Sequence, residues 1–325
     1  MARRAGVSQS TVSLVMSGKA RGRVSPPTEE AVRRAAADLG YRPNAAARAL
    51  RLGAARSVAL VVPDVTNPFF GHFMRGAQGA AWTAGYTVAL VDTANDRAWQ
   101  LSSYEALRGG PVDGFLVFGI DPPRRRRGAR GEHIVLIEDQ ARGHPSVRLD
   151  SAAGTDAVMA HLLDLGHRRI GRIAAPFDRH AFRDRDARWR AALTDAGIDP
   201  AEMPYARSEI RFGAAHEAAL SLLDRPDPPT ALFCDDDILA GGVYLAARDL
   251  RLRIPADVSV VGFDDLDFTA LLEPPLTTVT ADAARLGALA FETLAAHMAG
   301  ERVPRVQLLP VALNVRDSTG PPPGG

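Results

Sequence analysis

Two apolar rhythms divide the chain. Up to residue 51 the apolar positions recur at helical spacing, and from residue 57 short apolar runs alternate with longer helical stretches. A short helical scrap over 2–5 ends at Gly6. Ser8 is a good N-cap for a helix over 9–16 that stops at Ser17-Gly18. Ser25-Pro26-Pro27-Thr28 opens a further helix over 29–39, with acids in its first turn and Gly40 after its end. Ala31, Val32, Ala35, Ala36 and Leu39 recur along it at helical spacing. Pro43-Asn44 then opens a segment over 45–51 of high helix propensity, too short to be stable alone. Residues 52–56 read as linker.

The remainder predicts strands over 58–63, 87–91, 112–118 and 134–137, with a helix over 70–84. After residue 150 the alternation restarts. Helices are predicted over 152–165, 184–196, 214–223 and 238–250, and strands over 170–174, 231–234 and 258–263. Short apolar strands separated by helices pair in parallel, so the fold class is α/β, and two rounds mean two similar doubly wound subdomains. The Pro/Gly-rich tail, 317–325, is expected to be disordered.

Charge changes the picture. The formal net charge is +1, but residues 1–56 hold 11 basic and 3 acidic side chains (net +8) and the rest hold 28 and 35 (net −7). A basic head on an acidic body points to a nucleic-acid-binding segment. The single cysteine, Cys234, forms neither an internal disulfide nor a Cys-based zinc site, and a reducing, cytoplasmic setting is expected. No apolar run reaches the ~18 residues of a membrane span, and the N-terminus carries no apolar signal region. No Gly-x-Gly-x-x-Gly follows the first strand. No nucleophile–base set or metal cluster stands out either, so an enzyme, a cofactor and a metal are not expected.

Ala5-Gly6-Val7-Ser8-Gln9-Ser10-Thr11-Val12-Ser13 looks like a helix-turn-helix. Gly6 permits the sharp turn, Ser8 caps the second helix, and Gln9, Ser10 and Thr11 project from its first turn, where a recognition helix meets base edges. The motifs that follow are Leu39-Gly40-Tyr41-Arg42-Pro43-Asn44, Ala47-Arg48-Ala49-Leu50, Asn67-Pro68-Phe69-Phe70 and Leu165-Gly166-His167-Arg168-Arg169-Ile170. Val258-Ser259-Val260-Val261-Gly262-Phe263-Asp264-Asp265 and Pro275-Leu276-Thr277-Thr278-Val279 come later. Each is weak alone, but in this order and spacing, over residues 1 to 316, the chain closely resembles the lactose-repressor (LacI/GalR) family of bacterial transcriptional regulators.

The resemblance implies a helix-turn-helix headpiece over 1–42, a hinge helix and linker over 43–56, and a periplasmic-binding-protein-like sensor over 57–316. Its first subdomain would take 57–151 and 281–310, its second 152–280 and 311–316. Ser8, Gln9, Ser10, Thr11, Ser13, Asn44, Arg48, Leu50 and Arg51 would meet DNA. Leu50 matches the leucine that wedges between central base pairs in the minor groove, where unstacking is offset by added contacts. Phe69, Phe70, Glu138, Arg185, Phe212, Asp236 and Asp264 would meet the effector: aromatic walls for an apolar C–H face, carboxylates and an arginine for hydroxyls. The implied protein is a homodimeric repressor bound to double-stranded operator DNA and controlled by a small effector, a mono- or disaccharide. A solute-binding protein without DNA function is the competing class.

Departures from the family pattern carry their own expectations. Met1 stands where the family has a valine inside the first helix, so upstream residues are expected to be missing. Leu14 replaces a residue that is often basic. Arg188, in place of Gly, and Ala281, in place of a polar residue, are expected to reshape the pocket. Arg124–Arg127, a four-arginine run, reads as a solvated loop.

Overall fold

The computed structural model describes residues 1–16, 18–41, 55–107, 112–119 and 133–323. It divides into two compact units, Met1–Arg56 and Ser57–Gly325.

The described residues of the first unit form three helices. α1 (Ala2–Ala5) ends at Gly6, whose φ of 66° is the left-handed conformation that glycine adopts without a Cβ penalty. α2 (Gln9–Met16) starts where expected, because Ser8 Oγ accepts from Thr11 N at 3.1 Å. α3 (Pro26–Asp38) begins three residues earlier than the pattern predicts. The two prolines occupy first-turn positions, where no N–H is required and φ is already helical. Val12, Val15, Ala20 and Val32 form its small core, with Ala5, Val7 and Met16 packed on it. Leu39, predicted to share the buried face of α3, is instead exposed.

The second unit holds two six-stranded sheets. Its strands are β1 (Ser57–Val62), β2 (Thr87–Asp92), β3 (Gly114–Phe118), β4 (Ile134–Ile137), β5 (Ser146–Leu149), β6 (Ile170–Ala174), β7 (Tyr205–Arg207), β8 (Ala231–Cys234), β9 (Ser259–Asp264), β10 (Thr277–Thr280), β11 (Val306–Leu309) and β12 (Ala312–Asn314). The first sheet is ordered β11-β5-β4-β3-β1-β2 and the second β12-β10-β9-β8-β6-β7. Pairing is parallel throughout except between β10 and β12. The chain therefore passes between the two lobes after β5, after β10 and between β11 and β12.

Helices cover the sheets. They are α4 (Pro68–Thr83), α5 (Arg97–Leu107), α6 (Ser151–Asp164), α7 (His180–Asp195), α8 (Phe212–Leu223), α9 (Asp237–Leu250) and α10 (Ala283–Met298). α4 starts two residues before the predicted point because the Asn67 side chain caps it at Phe69 N. Its face of Phe69, Phe73, Ala77 and Ala81 is buried at i, i+4 spacing. α4 lies against α10 so closely that a Cβ on Gly76 would collide with the Ala284 carbonyl, and one on Gly287 with that of Phe73. β2 is an edge strand, open on most of its length, and with α5 it leaves Leu90, Trp99 and Leu101 exposed.

The C-terminal tail corrects the expected disorder. Ser318 is fully buried, and its Oγ accepts from Thr277 N at 2.7 Å and donates to Val260 O at 2.6 Å. Gly320 O lies 2.8 Å from His167 Nε2, and Thr319 Oγ1 2.9 Å from His161 Nε2. Pro/Gly composition removes the tail's own apolar drive, but these polar groups at the edge of the second sheet hold it down. Residues 324 and 325 lie outside the described part.

Candidate functional site

Open parallel sheets place ligands beyond the carboxyl ends of their strands. Both sheets here point those ends at one cavity of about 240 Å³. From the first lobe come Pro63 and Asp64 after β1, Ala94 and Asn95 after β2, Phe118 and Gly119 at β3, and Glu138 directly after β4. The second contributes Asp235 and Asp236 after β8, Asp264 ending β9, and the first two turns of α7. Four of these residues, Ala94, Asn95, Glu138 and Asp264, have positive φ without being glycine, at 47°, 59°, 55° and 114°. Strained backbone of this kind gathers where a site fixes side-chain directions.

Asp236, 3% exposed, caps α9 by accepting from Ile238 N at 2.7 Å, and its other oxygen accepts from Asn67 Nδ2 at 2.9 Å. Burial pushes its carboxyl up to about 6 against those bonds. Glu138 Oε1 accepts from Leu149 N at 2.5 Å. Burial raises its carboxyl to about 7, while that bond and the Arg185 and Arg148 charges pull it down. Asp264 is raised well above the ordinary carboxylate range, first by burial and then by the Asp236 charge.

Arg185, 4% exposed, is fixed from two sides. It donates to the Asp235 carbonyl, and its guanidinium centre lies 3.5 Å from the Phe263 ring centroid. Asp235 is itself held by the fully buried Arg172, which donates to it at 2.7 Å and to Asp186 at 2.8 Å. Among the described residues Nε of Arg185 has no hydrogen-bond partner. The aromatic wall is a set of edge-to-face rings: Phe70 and Phe118 are 5.0 Å apart and Phe69 and Phe70 5.5 Å. Phe177 and Phe182 face the cavity from the second lobe.

Phe69, Phe70, Glu138, Arg185, Asp236 and Asp264 thus all line the cavity. Phe212 does not. It is 46% exposed at the start of α8, with its ring 5.7 Å from Phe268 and against Gly241. Its neighbours Ile210 and Arg211 line the cavity instead, because the helix turns the next residue away. Arg188 also faces outward, in a two-bond pair with Asp156 at 2.6 and 2.5 Å, and leaves the pocket untouched. Ala281 borders a separate small cavity, of about 100 Å³, beside His72 and Asp265.

Sequence reasoning missed Asn67 and Arg179. Asn67 stands directly before Pro68-Phe69, an N-cap signature that pointed to it. Arg179 Nη2 donates to Asn95 Oδ1 at 2.9 Å across the cleft, and nothing in its sequence neighbourhood marks it. In the helical unit Gln9, Ser10 and Ser13 are exposed on α2, whose buried residues are Val12 and Val15, and Thr11 is half-buried. The Ser8 hydroxyl bonds those of Ser10 and Thr11 at 2.7 and 2.9 Å. Asn44, Arg48, Leu50, Arg51 and Arg124–Arg127 lie outside the described residues. Among the described residues no group of three or more His, Cys, Asp or Glu could hold a metal ion, and no helix is long and apolar enough to cross a membrane.

A helix-turn-helix unit joined to a two-lobed α/β unit with a polar, aromatic-walled cleft defines a ligand-sensing DNA-binding regulator. Residues 1–44 match the bacterial regulatory proteins of the lacI family, and residues 159–319 match the periplasmic binding protein-like domain. The chain is 31% identical to the HTH-type transcriptional repressor CytR of Escherichia coli (strain K12) over 325 residues, covering 98% of this chain and 95% of that protein. Among solved structures it is similar to the lac repressor dimer bound to operator and the anti-inducer ONPF (TM-score 0.85, 27% identity, 98% and 97% of the two chains). It is also similar to the transcriptional regulator CelR–cellobiose complex (TM-score 0.74, 31% identity, 98% of each chain). This chain belongs to the lacI family of bacterial regulatory proteins.

Proposed function

We propose that this chain is a cytoplasmic transcriptional repressor, not an enzyme, whose affinity for operator DNA is set by a small hydroxylated effector in the cleft. The observation that carries this reading is the cleft itself: carboxylates, one fixed arginine and aromatic faces converge on it, on the same chain as a helix-turn-helix unit. Hydroxyl groups donate to carboxylates, and the C–H face of a sugar ring packs on aromatic rings. The solved structure of the CelR relative is a cellobiose complex, which supports a sugar.

Residues 1–42 bind DNA, with Ser8, Gln9, Ser10, Thr11 and Ser13 of the recognition helix at the major groove. Residues 43–56 form the hinge, through which Asn44, Arg48, Leu50 and Arg51 reach the minor groove. Residues 57–316 sense the effector. The protein acts as a homodimer on two-fold-related half-sites. Exposed Leu90, Trp99 and Leu101 on β2 and α5 support a second copy as their cover, as does the dimeric lac repressor relative. Effector binding shifts the lobes and, through the hinge, changes operator affinity.

An electrophoretic shift with DNA from upstream of the protein's own gene tests this reading. A specific complex, altered by a sugar that also raises the protein's melting temperature, is expected. No specific complex with any fragment of that region overturns it.

A further inference from the structure

Asp264 lines the cleft from a backbone pose that an L-residue adopts only under constraint. Its φ is 114° and that of Asp265 is 56°, two consecutive non-glycine residues with positive φ. Such a conformation persists where its surroundings over-determine it. The Asp264 side chain supplies none of that hold, because it has no hydrogen bond among the described residues.

Asp265 supplies it. Its side chain is 13% exposed and does not line the cleft. It accepts from Thr280 Oγ1 at 2.8 Å, Asn314 Nδ2 at 3.2 Å and Arg316 Nη2 at 2.6 Å. Burial pushes its carboxyl up, but these bonds and the Arg316 charge outweigh burial and hold it below the ordinary carboxylate range. Arg316 is the centre of the clamp. Its Nη1 donates to Leu276 O at 2.8 Å and to Thr269 Oγ1 at 3.0 Å, and Thr269 Oγ1 donates on to Leu266 O at 2.7 Å. The fully buried Asp237 pins the same loop by accepting from Leu266 N at 2.8 Å.

The donors come from particular places in the chain. Thr280 ends β10, directly before the chain crosses to the first lobe. Asn314 ends β12 and Arg316 follows it, just after the chain has crossed back. The pose of Asp264 is thereby tied to two of the crossings between the lobes.

We propose that Arg316, acting through Asp265, is a positioning residue for the effector: it holds Asp264 in the pose that meets a ligand hydroxyl, without touching the ligand. This rests on the effector-controlled reading above and deepens it. Arg316 does not line the cleft, so its removal deletes no ligand contact. Arg316→Met keeps the aliphatic stem and loses every donor, whereas Arg316→Lys keeps the charge and a donor.

Hydrogen exchange of the full chain without ligand reads the hold itself. In Arg316→Met, peptides over 264–269 should exchange at least about fivefold faster than in wild type. Peptides over 318–323 should keep the wild-type rate, because the tail hangs on Thr277, Ser259 and His167. Unchanged exchange over 264–269, or equal loosening of both segments, overturns the proposal.

Titration calorimetry reads the consequence. The probe is whichever of D-ribose, D-glucose, D-galactose and cellobiose raises the melting temperature most. Arg316→Met should weaken its binding about tenfold or more, and Arg316→Lys should recover most of that loss. In an Asp264→Asn background the same Arg316→Met change should weaken binding less than about twofold, since the group it positions is already altered. Equal losses in both backgrounds mark a general loosening of the lobe and overturn the proposal. So does a sugar that binds Arg316→Met as tightly as wild type. The two readings fail separately. No melting shift with any of the sugars, with the exchange contrast intact, defeats the sugar-effector reading and leaves the Arg316 hold on Asp264 standing.

Discussion

Asn67 joins the N-termini of two helices from opposite lobes: its Oδ1 accepts from Phe69 N at 2.9 Å and its Nδ2 donates to Asp236 Oδ2 at 2.9 Å. Asp236 in turn caps α9. Asn67→Ala removes a cap, which costs about 0.5–2 kcal/mol, and leaves a buried carboxylate oxygen unpaired, which costs about 1–3 kcal/mol more. Urea unfolding should report a loss of about 3 kcal/mol. Asn67→Asp keeps the cap but sets a second carboxylate beside Asp236. Its loss should exceed that of Asn67→Ala at neutral pH and shrink as the pH falls. An unchanged midpoint in both variants would contradict this linkage.

Glu138 makes stability depend on pH. Its carboxyl is raised from 4.5 to about 7, chiefly by burial, so the folded protein holds a proton that the unfolded chain releases. The associated stability is fully present below about pH 4.5 and is lost as pH rises through about 7. A rise of this size is worth about 3 kcal/mol. Glu138→Gln keeps an acceptor for Leu149 N and removes the dependence. Relative to wild type, the variant should gain stability between pH 5 and pH 8, measured by urea unfolding at both. A constant difference across that range would refute the assignment.

The recognition helix and the cleft belong to separate compact units, so their side chains should separate in function. Gln9→Ala should weaken operator binding by about 1–3 kcal/mol, the range of one base contact, with no change in ligand affinity. Leu50→Ala should weaken specific binding through the minor groove and leave non-specific binding nearly intact. Fluorescence anisotropy with specific and scrambled duplexes distinguishes the two. Equal losses on both duplexes for Gln9→Ala would place that side chain on phosphate and not on a base.

The docked tail gives a prediction that composition alone would not. Ser318→Ala strands Thr277 N and Val260 O, both bonded to its hydroxyl, at a cost of about 2 kcal/mol. Removing residues 318–325 should cost more than that and expose His167 to solvent. Thermal unfolding of the two variants checks the order. A truncated protein as stable as the full chain would show the tail to be idle.

The sheets and most helices are legible from apolar spacing, because a buried parallel strand such as β1 or β8 reads as an unbroken apolar run. β5, β7, β10, β11 and β12 are three or four residues long, too short for a local pattern to announce them, and β11 pairs with β5 across about half the chain. Helix starts move two residues earlier at Asn67, where a side-chain cap sets them, and three earlier at Pro26, where prolines do. Within the cleft, residues at strand ends are legible because strand ends aim there. Phe212 misleads because one residue of helix rotation separates it from Arg211, which does line the cavity. Arg179 depends on its cross-lobe bond to Asn95, and the Asp235–Arg172 support on the pairing of β6 with β8, and only folding creates either.

Coupling between cleft and operator is the centre of the account, and reciprocal titration measures it most directly. The sugar that raises the protein's melting temperature most is titrated into the protein with and without saturating operator duplex. The two ligand affinities should differ by about 5–150-fold, and the ligand should change operator affinity by the same factor. Identical ligand affinities with and without operator would contradict it.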